Sequence, residues 1–327
     1  MTETRIGNTL QDIRQAAGLI QAGELVAFPT ETVYGLGGNA LDKTASKKIY
    51  AVKGRPSDNP LIVHIRNWEE IQKIAYPTEE GKALYDAFCP GPLTMIFKKR
   101  SCLPDETTGG RDTVAVRFPS HPIARKLIEL SGLPIAAPSA NVSKHVSPTS
   151  AQHVFDDLNG KIPLILDGGS SEVGIESTIV DLTGDCPTVL RPGAITKEQV
   201  ATVLGKAENY RGKVDEALAP GMKYKHYSPR VPCYLVKSEQ APLACEKLME
   251  KGCRVVYLAR ESARDSIGMK VGFISLGNTP EEAQNRIYAA LRSAEEYDAA
   301  MIEDLSNEYG YYAAMDRIKK ATGGTTL

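Results

Sequence analysis

Two hydrophobic periods alternate along the chain. Leu10, Ile13, Ala17 and Ile20 recur at helical spacing behind Thr9, a capping residue type, and the pattern stops at Gly23. Residues 25–28 then predict a short buried strand. A helix opens at Asp42, runs through Ile49 and Val52 and ends at Gly54; a strand is predicted over 61–65. Weaker helical patterns follow around 68–74 and 79–88. Strands are predicted at 93–97 and 113–118, the second alternating Val114, Val116 and Phe118. A helix over 122–130 leads to a strand over 133–137, and further strands are predicted at 163–166, 178–182 and 188–190. Thr196 and Gln199 form a capping box for a helix that ends at Gly205.

Residues 205–231 show neither period and are polar. A stretch of this length without regular structure is a linker or a functional loop. Beyond it a second alternation begins, with strands at 233–236, 254–258, 272–276 and 299–302 and helices at 240–251 and 311–320. Thr279-Pro280-Glu281-Glu282 combines an N-cap, a first-turn proline and a glutamate three residues after the cap, which marks another helix start. The expected organisation is an α/β domain over 1–205, a linker or lid over 206–231, and a smaller, doubly wound (Rossmann-like) α/β domain over 232–327.

Composition narrows the function classes. Apolar residues are 42% and charged residues 24% of the 327, an ordinary soluble balance. Lys plus Arg is 39 against 40 for Asp plus Glu, which argues against attachment to nucleic acid by bulk charge but leaves room for a local basic cleft. The six cysteines include no C-x-x-C pair, so zinc-knuckle and redox motifs are not indicated, and their scatter suits free thiols. The first fifteen residues have no apolar leader core and no apolar run is long enough to span a bilayer; a cytoplasmic protein without membrane contact is expected.

Three segments carry candidate chemistry. FPTETVYGLGGNALD, 28–42, contains Gly35, Gly37 and Ala40 in a G-x-G-x-x-A pattern. Six residues separate Phe28 from Gly35 and a basic stretch stands where a ribose-binding acid belongs, so a turn that needs glycine competes with a dinucleotide site. No P-loop motif occurs. In the second segment, 47–65, Gly54 and Pro56 constrain the turn that carries Lys53 and Arg55. Two cations there suit a phosphate chain, or equally a surface turn. Asn59 before Pro60 is extended, and His64 lies inside a strand, where histidine is a ligand or simply a satisfied core residue. In the third, 133–149, a strand runs into Pro138-Ser139-Ala140-Asn141, small polar groups where α/β folds place ligands; Ser147 before Pro148 reads as a turn or cap. Each segment alone stays open to both readings.

Together they do not. PTETVYGLGGNA, Lys53-Gly54-Arg55, DNPLIVH at 58–64, PGPLT at 90–94, DTVAVRFP at 112–119, APSAN at 137–141, DGG at 167–169, ESTIVD at 176–181 and LRPG at 190–193 resemble, in this order, the YrdC-like domain family. The resemblance covers about 10–205 nearly continuously, on the scale of one domain. APGMKYKHYSP at 219–229 and the second domain look like the long members of that family. It implies a twisted mixed sheet with a concave cavity, and the synthesis of threonylcarbamoyl-AMP and pyrophosphate from L-threonine, bicarbonate or CO2, and ATP carrying Mg²⁺. The product would pass to a separate tRNA threonylcarbamoyl transferase complex, with at most weak RNA contact by this chain. Carried over residue by residue, Thr32, His64, Ala137, Arg117 and Ser177 would contact threonine. Lys53, Arg55, Asn59, Thr113, Ser139, Asn141, Ser147, Arg191 and Tyr227 would line the ATP side, with Lys53 and Arg55 the catalytic cations and no metal held by protein side chains. The 205–231 stretch, with Lys223, Lys225, His226 and Tyr227, is expected to act as a lid. The competing expectations are another carbamoyl-adenylate-forming enzyme, an RNA-binding module using 43–55 and Lys98-Lys99-Arg100, and a nicotinamide dehydrogenase.

Overall fold

A computed structural model of the chain describes residues 3–212, 219–220 and 227–326. The chain divides into two units, Met1–Ser143 with Pro148–Lys223, and Lys144–Ser147 with Tyr224–Leu327. In the first unit the elements are β1 (Arg5–Gly7), α1 (Leu10–Gln21), β2 (Val26–Phe28), β3 (Gly35–Asn39), α2 (Lys43–Lys53), β4 (Ile62–His64), β5 (Ala75–Tyr76), α3 (Glu79–Phe88) and β6 (Leu93–Lys99). They continue with α4 (Asp105–Thr108), β7 (Thr113–Arg117), α5 (Pro122–Ser131), β8 (Ile135–Ala136), α6 (Ala151–Leu158), β9 (Leu164–Leu166), β10 (Thr178–Asp181), β11 (Thr188–Arg191), α7 (Lys197–Leu204) and β12 (Glu208–Asn209).

The strands form one mixed sheet in the order β1-β9-β2-β3-β8-β4-β7-β6-β10-β11-β12, with β5 on β6. Strand β4 runs parallel to β7 and antiparallel to β8, and β6 runs antiparallel to β7 and parallel to β10. Their registers align Ile135, His64, Arg117, Thr94 and Ile179 in one cross-strand row. Paired residues share a face of the sheet, so the imidazole, guanidinium and hydroxyl of this row stand side by side. The adjacent positions, Ala136, Val63, Val116, Met95 and Val180, point the other way into the main core. The face bearing the polar row also carries Ile62, Ala115, Ile96, Ile179 and Leu190, over which Ala219 and Tyr210 pack.

Residues 35–39 form a strand, not the turn or dinucleotide loop expected of their glycines. Glycine lowers strand propensity, but here the missing side chains admit neighbours: a Cβ on Gly37 would lie 2.7 Å from Phe28 Cε1 and 2.8 Å from Ile135 Cγ2. Two other expectations shift. Trp68–Lys73 is a 3-10 turn, and Ser147 is not a cap; the cap is Ser150, which accepts a hydrogen bond from His153 N and opens α6, a helix the polar pattern concealed. Thr9 and Asp12 close a reciprocal capping box on α1, and Thr196 and Gln199 do so on α7.

The second unit holds β13 (Cys233–Val236), α8 (Ala241–Glu250), β14 (Val255–Ala259), β15 (Gly272–Ser275), α9 (Pro280–Ser293), β16 (Ala299–Glu303) and α10 (Tyr312–Thr322). Its sheet is parallel throughout, in the order β13-β16-β14-β15. Helix α8 packs on one face with Val236, Val255, Tyr257, Ala299 and Met301. The alternate residues Val256, Leu258, Ala300 and Ile302 are buried as well, while α9 and α10 contact each other, β15 and β13. Near-continuous apolar strands covered on both faces are the mark of a doubly wound sheet.

Candidate active site

The polar row at the sheet's centre is built from strand ends. His64 closes β4 and is 3% exposed; its Nδ1 lies 3.3 Å from the Ile135 carbonyl oxygen. A carbonyl only accepts, so Nδ1 carries the proton and Nε2 presents a lone pair. Burial, then the charge of Arg117, lowers the His64 pKa to about 3, so the ring is neutral at physiological pH.

Arg117 closes β7 beside it, 4% exposed. Its Nη2 donates to Glu31 Oε1 at 2.7 Å and reaches Thr30 Oγ1 at 3.5 Å, while its Nε is buried without a hydrogen-bond partner. Burial alone would raise the Glu31 pKa, but the charge and hydrogen bond of Arg117 outweigh it and hold the carboxyl below its ordinary value. The turn carrying Glu31 is fixed by Thr30, whose Oγ1 accepts from the backbone N–H groups of Thr32 and Val33 at 3.2 Å and shares a hydrogen bond with Thr32 Oγ1 at 2.9 Å. Cys89 is no alternative nucleophile, since burial pushes its thiol up to about 12.

Across the row, Thr94 Oγ1 and Ser177 Oγ are hydrogen-bonded at 2.7 Å. Arg191, 3% exposed, donates from Nη2 to Ser177 Oγ at 3.2 Å, from Nε and Nη2 to the Ser177 carbonyl, and from Nη1 to the Pro220 carbonyl at 3.1 Å. Ala137 N–H donates to the Ile62 carbonyl at 2.8 Å, so any contact it offers a ligand is through its own carbonyl. His64, Arg117, Ser177 and Arg191 are thereby brought into one hydrogen-bonded or laterally paired array, with Thr32 beside the Thr30–Arg117 contact.

The second group gathers at the end of α2. Gly54 takes a φ of 61° as the helix's C-cap, a left-handed conformation that turns the chain between Lys53 and Arg55. Lys53 is 2% exposed and points inward: Nζ donates to the carbonyls of Ser139 and Asn141 and lies 3.3 Å from Asn141 Oδ1. Burial, then the charge of Arg55, pushes its pKa well below the ordinary lysine value. Ser139 Oγ donates to Asn141 Oδ1 at 2.6 Å, completing a tight lysine–loop cluster. Arg55 reaches the carbonyls of Asn59 and Pro60 at 3.4 and 3.2 Å. Asn59, 2% exposed, keeps a buried Oδ1 with no partner. Thr113 opens β7 and is half-buried.

Ser147 and Tyr227 belong to the second unit. There Tyr227 has a φ of 63°, its ring lies 5.2 Å from that of Tyr288, and the guanidinium of Arg317 is 5.8 Å from its centroid. Segment Lys144–Ser147 is held in that unit by Ser228 N–H on the Lys144 carbonyl and by Arg292 Nη2 on the Val146 carbonyl. The expected lid residues Lys223, Lys225 and His226 lie outside the described residues. A cavity of about 220 Å³ in the first unit, between Ile65, Ile74, Ile128 and Leu133, is lined by none of the expected site residues. Among the described residues no group of three or more His, Cys, Asp or Glu side chains could hold a metal ion, and no helix is long and apolar enough to cross a membrane.

Glu31 and Thr94 were not singled out by sequence reasoning. Glu31 had one available signal, being the only acid in the otherwise uncharged run 25–41. Thr94 ends the motif PGPLT, but only the β6–β7 register brings it to Arg117.

Comparison with known proteins identifies the family. Residues 18–193 match the family model Sua5_yciO_yrdC, described as telomere recombination, and residues 195–323 match the threonylcarbamoyl-AMP synthase C-terminal domain. The chain is 45% identical to the threonylcarbamoyl-AMP synthase of Pyrococcus abyssi, over 95% of this chain and 94% of that protein. It is 43% identical to the one of Bacillus subtilis, over 96% and 94%. A crystal structure of P. abyssi Sua5 complexed with L-threonine superposes with a TM-score of 0.92 at 42% identity, covering 100% of this chain and 99% of that one. E. coli YciO, 26% identical, covers 59% of this chain and 96% of its own at a TM-score of 0.52. The array of strand-end side chains thus sits in a fold and a sequence shared end to end with two-domain relatives, and the chain belongs to the Sua5–YciO–YrdC family in the form that carries the threonylcarbamoyl-AMP synthase C-terminal domain.

Proposed function

We infer that this chain is an L-threonylcarbamoyladenylate synthase, a nucleotidyltransferase that joins L-threonine, bicarbonate or CO2, and ATP into threonylcarbamoyl-AMP and pyrophosphate. The observation that carries the reading to individual residues is the unpartnered Nε of Arg117 beside the neutral ring of His64. A buried donor without a partner costs roughly 1–3 kcal/mol, which a ligand carboxylate would recover. Arg117 then holds the threonine carboxylate, His64 Nε2 accepts from the amine, and Thr32 or Ser177 reads the side-chain hydroxyl, with the Ala137 carbonyl as a backbone contact.

The nucleotide lies toward Arg55, Asn59, Thr113, Ser139, Asn141 and Arg191, and the orphaned Asn59 Oδ1 supports a hydrogen-bond donor there, such as a ribose hydroxyl or adenine amine. Lys53, expected as a phosphate cation, has its Nζ committed to the Ser139–Asn141 loop. It acts in this reading by shaping that loop.

The chemistry follows from charge. The amine nitrogen bonds to the carbon of CO2 and loses a proton, or to the carbon of bicarbonate, whose C–OH bond breaks to release water; either route gives a carbamate. A carbamate oxygen then bonds to the α-phosphorus of ATP, and the bond to pyrophosphate breaks. Both partners of the second step are anions, and Arg55 and Arg191 offset their repulsion. Mg²⁺ enters bound to the triphosphate, as part of the substrate. No covalent enzyme intermediate is required; positioning and electrostatics supply the rate. The product is consumed by a separate tRNA threonylcarbamoyl transferase complex that modifies the adenosine next to the anticodon, in the cytoplasm.

The test is pyrophosphate release from MgATP and bicarbonate with L-threonine, L-serine, L-valine or no amino acid. Release that requires threonine and falls in Arg117→Ala supports the reading. Release indifferent to the amino acid would replace it with another adenylating chemistry.

A further inference from the structure

We propose that Glu31 is a positioning residue for threonine recognition, setting the guanidinium of Arg117 so that its Nε edge faces the amino-acid carboxylate. This rests on the assignment of Arg117 to threonine above and adds a residue to which the sequence reading gave no role.

Glu31 is 4% exposed and held at several points. Its Oε1 takes the Arg117 Nη2 hydrogen at 2.7 Å, its Oε2 takes the backbone N–H of Ser120 at 3.2 Å, and its own carbonyl takes Val173 N–H at 2.7 Å. Ser120 follows β7, the strand that carries Arg117, so the carboxylate bridges the end of that strand to the Thr30–Thr32 turn. A glutamate that served only as counter-ion would meet the guanidinium with both oxygens, two parallel bonds being the preferred geometry. Here the second oxygen is turned to Ser120 and the arginine Nε is left buried and unpaired. The pair is therefore incomplete on the arginine side, and the missing acceptor is an anion that comes and goes.

Glu31 has two opposed effects on that anion. It fixes the direction of the guanidinium, which favours binding, and it shares the same positive charge, which disfavours binding. Glutamine at this position keeps an oxygen acceptor for Nη2 without the competing charge, but gives up the acceptor for Ser120 N–H. Alanine removes both and frees the arginine to collapse elsewhere. Aspartate keeps the charge but falls one methylene short of the guanidinium.

The experiment is steady-state pyrophosphate release by the full chain, with KM measured separately for L-threonine and for MgATP in wild type, Glu31→Ala, Glu31→Gln and Glu31→Asp, alongside thermal melting. Glu31→Ala is expected to raise the threonine KM by about tenfold or more, the scale of one charge-assisted hydrogen bond, with the ATP KM within about twofold. Glu31→Gln is expected to stay within about threefold of wild type for threonine, and Glu31→Asp to resemble alanine. Should alanine fail to fold, the glutamine–aspartate order alone decides. Parallel rises in both KM values, a threonine KM unmoved while the melting temperature falls, or aspartate rescuing better than glutamine would overturn the proposal. A wild-type chain without threonine-dependent release refutes the function on which it stands, whereas an active wild type with silent Glu31 variants refutes only the role of Glu31.

Discussion

Exchanging His64 for glutamine should flatten part of the acid sensitivity of the first unit. The imidazole is fully buried next to Arg117, and its pKa falls from 6.5 to about 3. Below pH 6.5 the unfolded chain takes up a proton on this ring that the folded chain refuses until about pH 3. The unfolded state therefore binds more protons in that window, and stability falls as pH falls through it. At 1.36 kcal/mol per pH unit, and with the curvature near each pKa included, acidification from pH 7 to pH 5 costs about 2 kcal/mol through this residue alone. Glutamine keeps a polar side chain of similar reach and does not titrate. Glu31, whose carboxyl is also held low, loses its contribution below its unfolded value of 4.5, outside this interval and in both proteins alike. The assay is urea unfolding at pH 7 and pH 5, followed by the fluorescence of Trp68, the single tryptophan, which lies in the first unit. Wild type should lose about 2 kcal/mol more than His64→Gln between the two pH values. Parallel losses would mean that the ring titrates as in solvent, and the neutral Nε2 acceptor assigned to it would fall with that result.

Other parts of the structure make equally direct demands. Gly37→Ala places a methyl 2.7 Å from Phe28 and 2.8 Å from Ile135, and overpacking of that kind should destabilise the first unit by about 1–3 kcal/mol in the same urea assay. Arg191→Ala removes the donors on the Ser177 carbonyl and hydroxyl, so pyrophosphate release should drop about tenfold or more, with the ATP KM rising. Thr279→Ala opens the capping box of α9 and should cost about 1 kcal/mol in the unfolding of the second unit, read by circular dichroism, with the threonine KM unchanged.

What could be read from sequence follows the range of the interactions involved. Strands β4, β6, β7 and β10 were legible because their own side chains alternate or run apolar, and the capped helices because their signals sit within four residues. Strand β3 was not, since three glycines erase its pattern and only neighbours brought by other elements, Phe28 and Ile135 at Gly37 and Leu25 at Gly38, explain them. The same divide runs through the site. Motifs named His64, Arg117 and Ser177, but their adjacency depends on strand register, which no local pattern encodes. Lys53 reads locally as a cation at a helix end; its burial depends on carbonyls at 139 and 141, more than eighty residues away. Glu31 reads as a loop acid between two threonines until the fold sets it on Arg117.

These three long-range placements act in one direction. Glu31 neutralises Arg117, burial and then the Arg117 charge keep His64 uncharged, and burial with Arg55 disfavours the charged form of Lys53. The Glu31–Arg117–His64 group therefore carries little net charge in a low-dielectric setting, where isolated ions would be most costly. In the proposed reading the threonine carboxylate would supply the acceptor that Arg117 Nε lacks. Internal pairing holds this geometry, so removing a single partner such as Glu31 should be felt first in threonine binding and only second in stability.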